Sequence, residues 1–97
     1  MSKRDAYIQQ LHAKIDEWNA DIDKLTAKAN QVEADSRREY QQQIDTLKRK
    51  RREIQSKLTD LKRSGEEAWS DFKTGMDLAL ESMNEAVRSA MSRFKKP

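Results

Sequence analysis

An apolar stripe that advances in steps of three and four residues runs along the first two thirds of this chain. It begins at Ile8 and ends at Leu61, and no glycine or proline lies within it. A stripe that takes about two of every seven helix positions is narrower than the buried face of an ordinary globular helix, and it is typical of a coiled-coil seam. The predicted seam residues are Ile8, Leu11, Ile15, Trp18, Ile22, Leu25, Val32, Tyr40, Ile44, Leu47, Ile54, Leu58 and Leu61.

The composition favours helix throughout the chain. Hydrophobic residues make up 35% and charged residues 38% of the 97 positions, with two glycines and one proline. Such a chain is long enough for one domain but too polar to wrap a thick core, so we expect it to pack along linear seams. The predicted fold class is all-α.

Two places along the chain offer a break in the helix. At residues 62–67, cations precede Gly65, and Ser64 with Glu67 has the spacing of a capping box. At residues 32–40 the stripe slips by one residue, and Ser36 with Glu39 repeats that spacing. The second stretch also contains good helix formers, and a skip in a continuous coiled coil explains its slip.

These breaks generate two architectures for a single helical coiled-coil domain spanning 1–97. In the favoured one, a seam helix of about 3–63 is followed by a joint at 64–65 and an amphipathic helix of about 66–95. In the alternative, a further break near residue 35 produces a three-helix bundle, whose narrow seams would fill it thinly. The favoured form must oligomerise to bury its stripe, whereas the bundle could be monomeric.

The formal net charge is +3, and the charged residues are distributed unevenly along the chain. Counted by segment, residues 1–35 carry a balance of −2, residues 36–63 of +6 and residues 64–97 of −1. A basic middle between mildly acidic ends favours antiparallel pairing, within one chain or between chains.

The last segment has a wider apolar face than the seam. This face comprises Trp69, Phe72, Met76, Leu80, Met83, Val87, Met91 and Phe94. Its main interpretation is a helix that packs on the long seam and completes the bundle. The alternative is an amphipathic helix whose aromatic side chains enter a lipid interface while basic residues near its end meet anionic headgroups.

The basic run at residues 48–52 raises the question of nucleic acid. Five consecutive helical residues point in five directions, and neighbouring Asp45 and Glu53 dilute their field. The sequence therefore favours a solvated helix face, with Arg51 at a seam position, over nucleic-acid binding.

Residues suited to catalysis are few. His12 is the single histidine and lies beside the seam, cysteine is absent, and no phosphate-binding loop or metal-ligand cluster is present. We expect a non-enzyme without cofactor or metal. Without a leader segment or a long apolar run, the expected location is the cytoplasm.

Two blocks of the sequence are distinctive within this pattern. They are the stretch 17–25, which reads EWNADIDKL, and the joint 65–73, which reads GEEAWSDFK. With the repeat between them, they resemble small bacterial coiled-coil proteins of the stress-response or unknown-function type. The resemblance implies a bacterial helical protein linked to stress tolerance, and it supplies no catalytic or ligand residues.

These observations together predict a structural or interaction protein. It would form a homo-oligomer, a dimer or tetramer, through the Ile8 to Leu61 stripe, and a further protein partner fits the same class. A peripheral membrane protein is the alternative, and a weak nucleic-acid scaffold is the third hypothesis.

Overall fold

The chain folds into three helices that run up, down and up. The computed structural model describes residues 3–65 and 67–93, and within them α1 spans Lys3–Ala29, α2 spans Ala34–Arg63 and α3 spans Trp69–Arg93. At 1.5 Å per residue each helix is about 37 to 45 Å long. Each therefore runs along most of the 51 Å length of a bundle that is 19 and 17 Å across. The described residues contain no strand, so the all-α prediction is confirmed.

The prediction of one continuous helix over 3–63 is wrong, because the chain turns back between α1 and α2. Helix α1 ends at Ala29, and Glu33 is extended, with ψ of 159°, immediately before α2. Reversal lets the stripe of α1 bury itself against the stripe of α2 in the same chain. Packing of an amphipathic face outweighs local helix propensity, so the good helix formers at residues 34–39 begin a new helix there.

Two arginines satisfy backbone carbonyls at the ends of helices. Arg37 donates from Nε to the Ala29 carbonyl at 3.1 Å and from a terminal nitrogen to the Val32 carbonyl at 3.0 Å. At the other end of the bundle, Arg4 of α1 donates to the Ser64 carbonyl at 2.8 Å and to the Leu61 carbonyl at 3.3 Å. The last carbonyls of a helix lack intrahelical hydrogen-bond donors and carry the negative end of the helix dipole. A cation there supplies the missing donor and also interacts favourably with the dipole.

The joint between α2 and α3 lies where the sequence predicts a break, but its chemistry differs. Ser64 does not begin a capping box for the next helix, since its hydroxyl donates to the Leu61 carbonyl at 2.7 Å. Gly65 does not adopt a positive φ. The predicted helix start at residue 66 is also too early, because a turn at 67–68 precedes Trp69.

The core is the predicted stripe, closed within one chain. Of the seam residues only Ile8 and Val32 are partly exposed, and Tyr7 takes the buried position beside Ile8. From α3, Met76, Met83 and Val87 are buried, whereas Trp69, Phe72, Leu80 and Met91 pack on the core while partly exposed; Phe94 lies outside the described residues. No polar or charged side chain of the described residues is buried. The stripe therefore packs against helices of its own chain. Oligomerisation stays a prediction, and an oligomer would have to form through a surface other than the stripe.

Replacement of Arg37 by alanine tests the role of this side chain at the α1 turn. We expect the free energy of unfolding to fall by about 1–2 kcal/mol, because two carbonyls lose a charged donor. The matched control is Arg38→Ala, since Arg38 is exposed and next in sequence; its change should stay within about 0.5 kcal/mol. Urea unfolding followed by circular dichroism measures both, and equal losses would show that Arg37 does not stabilise the turn.

Candidate interaction surfaces

A polar and aromatic cluster joins the start of α1 to the start of α3. The hydroxyl of Tyr7 donates to Oδ1 of Asp77 at 2.6 Å, and Nζ of Lys73 contacts Oδ2 of the same carboxylate at 2.9 Å. The Tyr7 and Trp69 rings lie 6.0 Å apart at 52°, and Lys73 stands 5.5 Å from the centre of the Tyr7 ring. Cation, carboxylate and two rings thus fix the parallel pairing of α1 with α3 at this end.

The cluster changes the protonation chemistry of two of its members. Burial, and then the hydrogen bond to Asp77, raises the pKa of Tyr7 well above its ordinary range. The hydrogen bond from Tyr7, and then that from Lys73, lowers the pKa of Asp77. Each shift keeps the phenol protonated and the carboxylate ionised, so the contact between the helices persists through the neutral range.

An open groove follows this cluster between α1 and α3. Its volume is about 270 Å³, and it is lined by Tyr7, Gln10, Leu11, Ala13, Lys14, Glu17 and Leu80. Helices α1 and α3 contact one another far less than either contacts α2. The narrow stripe of α1 faces α2, so the side of α1 toward α3 presents a mixture of polar and small apolar side chains that does not fill the space between these two helices. The loose packing expected of a three-helix bundle with narrow seams is therefore found between α1 and α3.

A row of alanines lies on the outer surface of α1, and one of them, Ala13, lines the groove. Ala6, Ala13, Ala20 and Ala27 follow one another at intervals of seven residues, and all four are exposed. A seven-residue repeat keeps the four side chains on one side of the helix, and their small size allows another backbone to approach. Sequence reasoning missed this row because the larger apolar residues of the buried stripe dominate the periodicity.

The basic run at residues 48–52 is divided between the bundle and the solvent. Arg51 donates to Oδ1 of Asn19 in α1 at 2.7 Å, and Lys50 contacts the hydroxyl of Ser82 in α3 at 2.9 Å. Arg49 and Arg52 are exposed. The side-chain partner of Arg51 at this seam position is thus a neutral amide, and Nε of Arg51 is buried without a hydrogen-bond partner among the described residues.

The other residues considered for chemistry remain dispersed. His12 is exposed on α1. Within residues 3–65 and 67–93, no three histidine, cysteine, aspartate or glutamate side chains come together as a metal site would require. None of the helices in that part of the chain has the length and apolar character needed to cross a membrane.

Comparison with known proteins adds no relative to this description. No protein-family model matches the chain, and no curated protein or solved structure is significantly similar to it. The resemblance to small bacterial coiled-coil proteins therefore stays a prediction.

Acid titration tests the contribution of Asp77 to stability. Because its pKa is lowered by folding, its stabilising effect is present above the ordinary aspartate pKa, near 3.8, and is lost as the pH falls below that value. Asp77→Asn should therefore be less stable than the unmodified protein at neutral pH, and the difference should shrink on acidification. Thermal unfolding measured across the acid range follows this difference.

The matched control for that titration is Asp23→Asn. Asp23 is exposed on α1 and takes part in none of the ion pairs between described residues. Its removal should leave the acid dependence unchanged. A pH-independent difference for Asp77→Asn would contradict the role of the ionised carboxylate.

Proposed function

We propose that the protein is a non-catalytic helical interaction protein that self-associates through the outer side of α1. The observation that carries this proposal is the groove between α1 and α3, which meets the alanine row at Ala13. A second copy of the chain that lays its own α1 there would cover Leu80 and the exposed edge of Tyr7. Four packed helices would then surround what is an open side in one copy.

The charges at the rim support a second copy as the partner. Lys14 and Glu17 lie one turn apart on α1, with Nζ and Oε2 3.6 Å apart, and both side chains are about half exposed or more. A twofold axis between antiparallel helices would bring Lys14 of each copy opposite Glu17 of the other. Such exposed pairs contribute about 0–1 kcal/mol each, so they select orientation while apolar contact supplies affinity.

The position of this pair along the alanine row adds a second argument. Lys14 and Glu17 lie near the middle of the span from Ala6 to Ala27. Antiparallel α1 helices centred there would lay the two alanine rows alongside each other over most of their length, offset by about two residues, and alanine permits close helix approach. The interface is thus self-complementary in both shape and charge.

The membrane hypothesis receives less support from the placement of α3. Met76, Met83 and Val87 from the predicted lipid-binding face are buried against α1 and α2. Insertion of this face into a bilayer would first require α3 to leave the bundle. Self-association requires no such rearrangement.

Sedimentation equilibrium tests the proposal. We expect the unmodified protein to form a dimer, and Ala13→Arg to sediment as a folded monomer, since a long charged side chain in the middle of the row separates the helices. Ser56→Arg is the matched control, because Ser56 is exposed on α2 and its replacement should leave the dimer intact.

A charge exchange distinguishes the twofold arrangement from other contacts. Lys14→Glu alone should weaken the dimer by placing like charges opposite one another, and the double variant Lys14→Glu with Glu17→Lys should restore it. A monomeric unmodified protein would refute self-association. A dimer that is insensitive to Ala13→Arg would place the interface elsewhere.

A further inference from the structure

Helix α2 is the most basic helix of the fold. It carries ten lysines and arginines against five acidic residues. None of the four ion pairs between described residues involves any of these ten. Arg37, Lys50 and Arg51 instead donate to neutral oxygen atoms of the turn and of the neighbouring helices. The excess positive charge of the sequence is thus left on the outer surface of α2.

Four exposed arginines lie along that surface. They are Arg38, Arg49, Arg52 and Arg63. Two of the intervals are eleven residues, which is close to three full turns, and the middle interval is three residues, so the four side chains fall within one arc of the helix. At 1.5 Å per residue the row is about 38 Å long, with steps of about 16, 5 and 16 Å. This row, and not the contiguous run at 48–52, is the coherent basic feature of the fold.

We propose that the arginine row on α2 binds the phosphate backbone of double-stranded nucleic acid without reading its sequence. Arginine presents a planar fork of donors that matches phosphate oxygens, which lysine does not. This use of exposed arginine distinguishes α2 from α1, where the exposed lysine and arginine positions are all lysines. Arg4, the arginine of α1, is half-buried at the end of α2. A duplex carries a phosphate charge about every 1.7 Å along its axis when both strands are counted, so a row of about 38 Å lies close to several phosphates on the side that faces it.

The surroundings of the row favour a duplex over the other large anions. A membrane surface would be engaged by large apolar side chains beside the cations, yet none is exposed on α2. The one large apolar side chain of the described residues that is exposed is Leu78 on α3. Single strands stack their bases on exposed aromatic rings, and the aromatic residue of α2, Tyr40, is buried.

The acidic residues that share this helix set the strength of the interaction. Asp45 and Asp60 are exposed among the arginines and reduce the local potential. Binding is therefore weak, independent of base sequence and steeply dependent on salt. It also does not rest on self-association, because α1 and α2 present different outer surfaces.

Fluorescence anisotropy with a labelled mixed-sequence DNA duplex, several turns long, tests the proposal on the full chain. If four phosphates are neutralised, the logarithm of the binding constant should fall against that of salt with a slope of about −3.6, or about 150-fold for a fourfold rise in salt. Arg49→Gln with Arg52→Gln should halve the slope to about −1.8, or about 12-fold over the same range. Circular dichroism establishes that the variant is folded.

The control variant removes the same charge from another helix. Lys3→Gln with Lys24→Gln, both exposed on α1, should keep the slope of the unmodified protein. Equal losses in the two variants would overturn the proposal, since net charge and not the row would then govern binding. Absence of binding at low salt would overturn it as well, as would preferential binding to phosphatidylserine vesicles over the duplex at equal salt.

Discussion

Burial of the α1 stripe against the α2 stripe is the contact from which the rest of the fold follows. Leu11, Ile22 and Leu25 from one helix and Ile44, Leu47 and Ile54 from the other are almost fully buried. A short turn brings these surfaces together within one chain, at a closure cost that depends only weakly on loop length. A second chain could supply the same contact only at the additional cost of association. The reversal at residues 30–33, the arginine at that turn and the docking of α3 all depend on this pairing.

The helical content, most of the core and the second break could be read from the sequence, because each is a local pattern. Periodicity identified Leu11 through Leu61 as buried positions, and Gly65 with the preceding cations located the end of α2. The sequence offered the first break, near residue 35, only as the alternative, and the structure has the three helices of that alternative. The strongest determinant of this break is tertiary burial, and the contacts of Arg37 with carbonyls five and eight residues earlier have no sequence signature.

The surfaces proposed for self-association and for nucleic-acid binding were harder to predict from the sequence than the core. Tyr7 and Asp77 are seventy residues apart in the chain, and only the fold brings phenol and carboxylate within 2.6 Å. The groove depends on the poor fit between α1 and α3, which is a property of two helices and not of either sequence. The alanine row and the four arginines are visible as intervals of seven and eleven residues. Whether such a repeat lies on the surface or in the core can be decided only once the buried side of each helix is known.

An odd number of antiparallel helices has a geometric consequence for the polarity of this molecule. Helix α1 begins at the end of the bundle where Tyr7 meets Trp69, and α3 finishes at the opposite end, beside Lys28. The first and last described residues therefore lie at opposite poles, separated by most of the 51 Å length. Anything joined ahead of α1 and anything joined behind α3 would leave in opposite directions. The bundle would thus hold two such attachments apart, unlike a four-helix hairpin, which would bring both to one side.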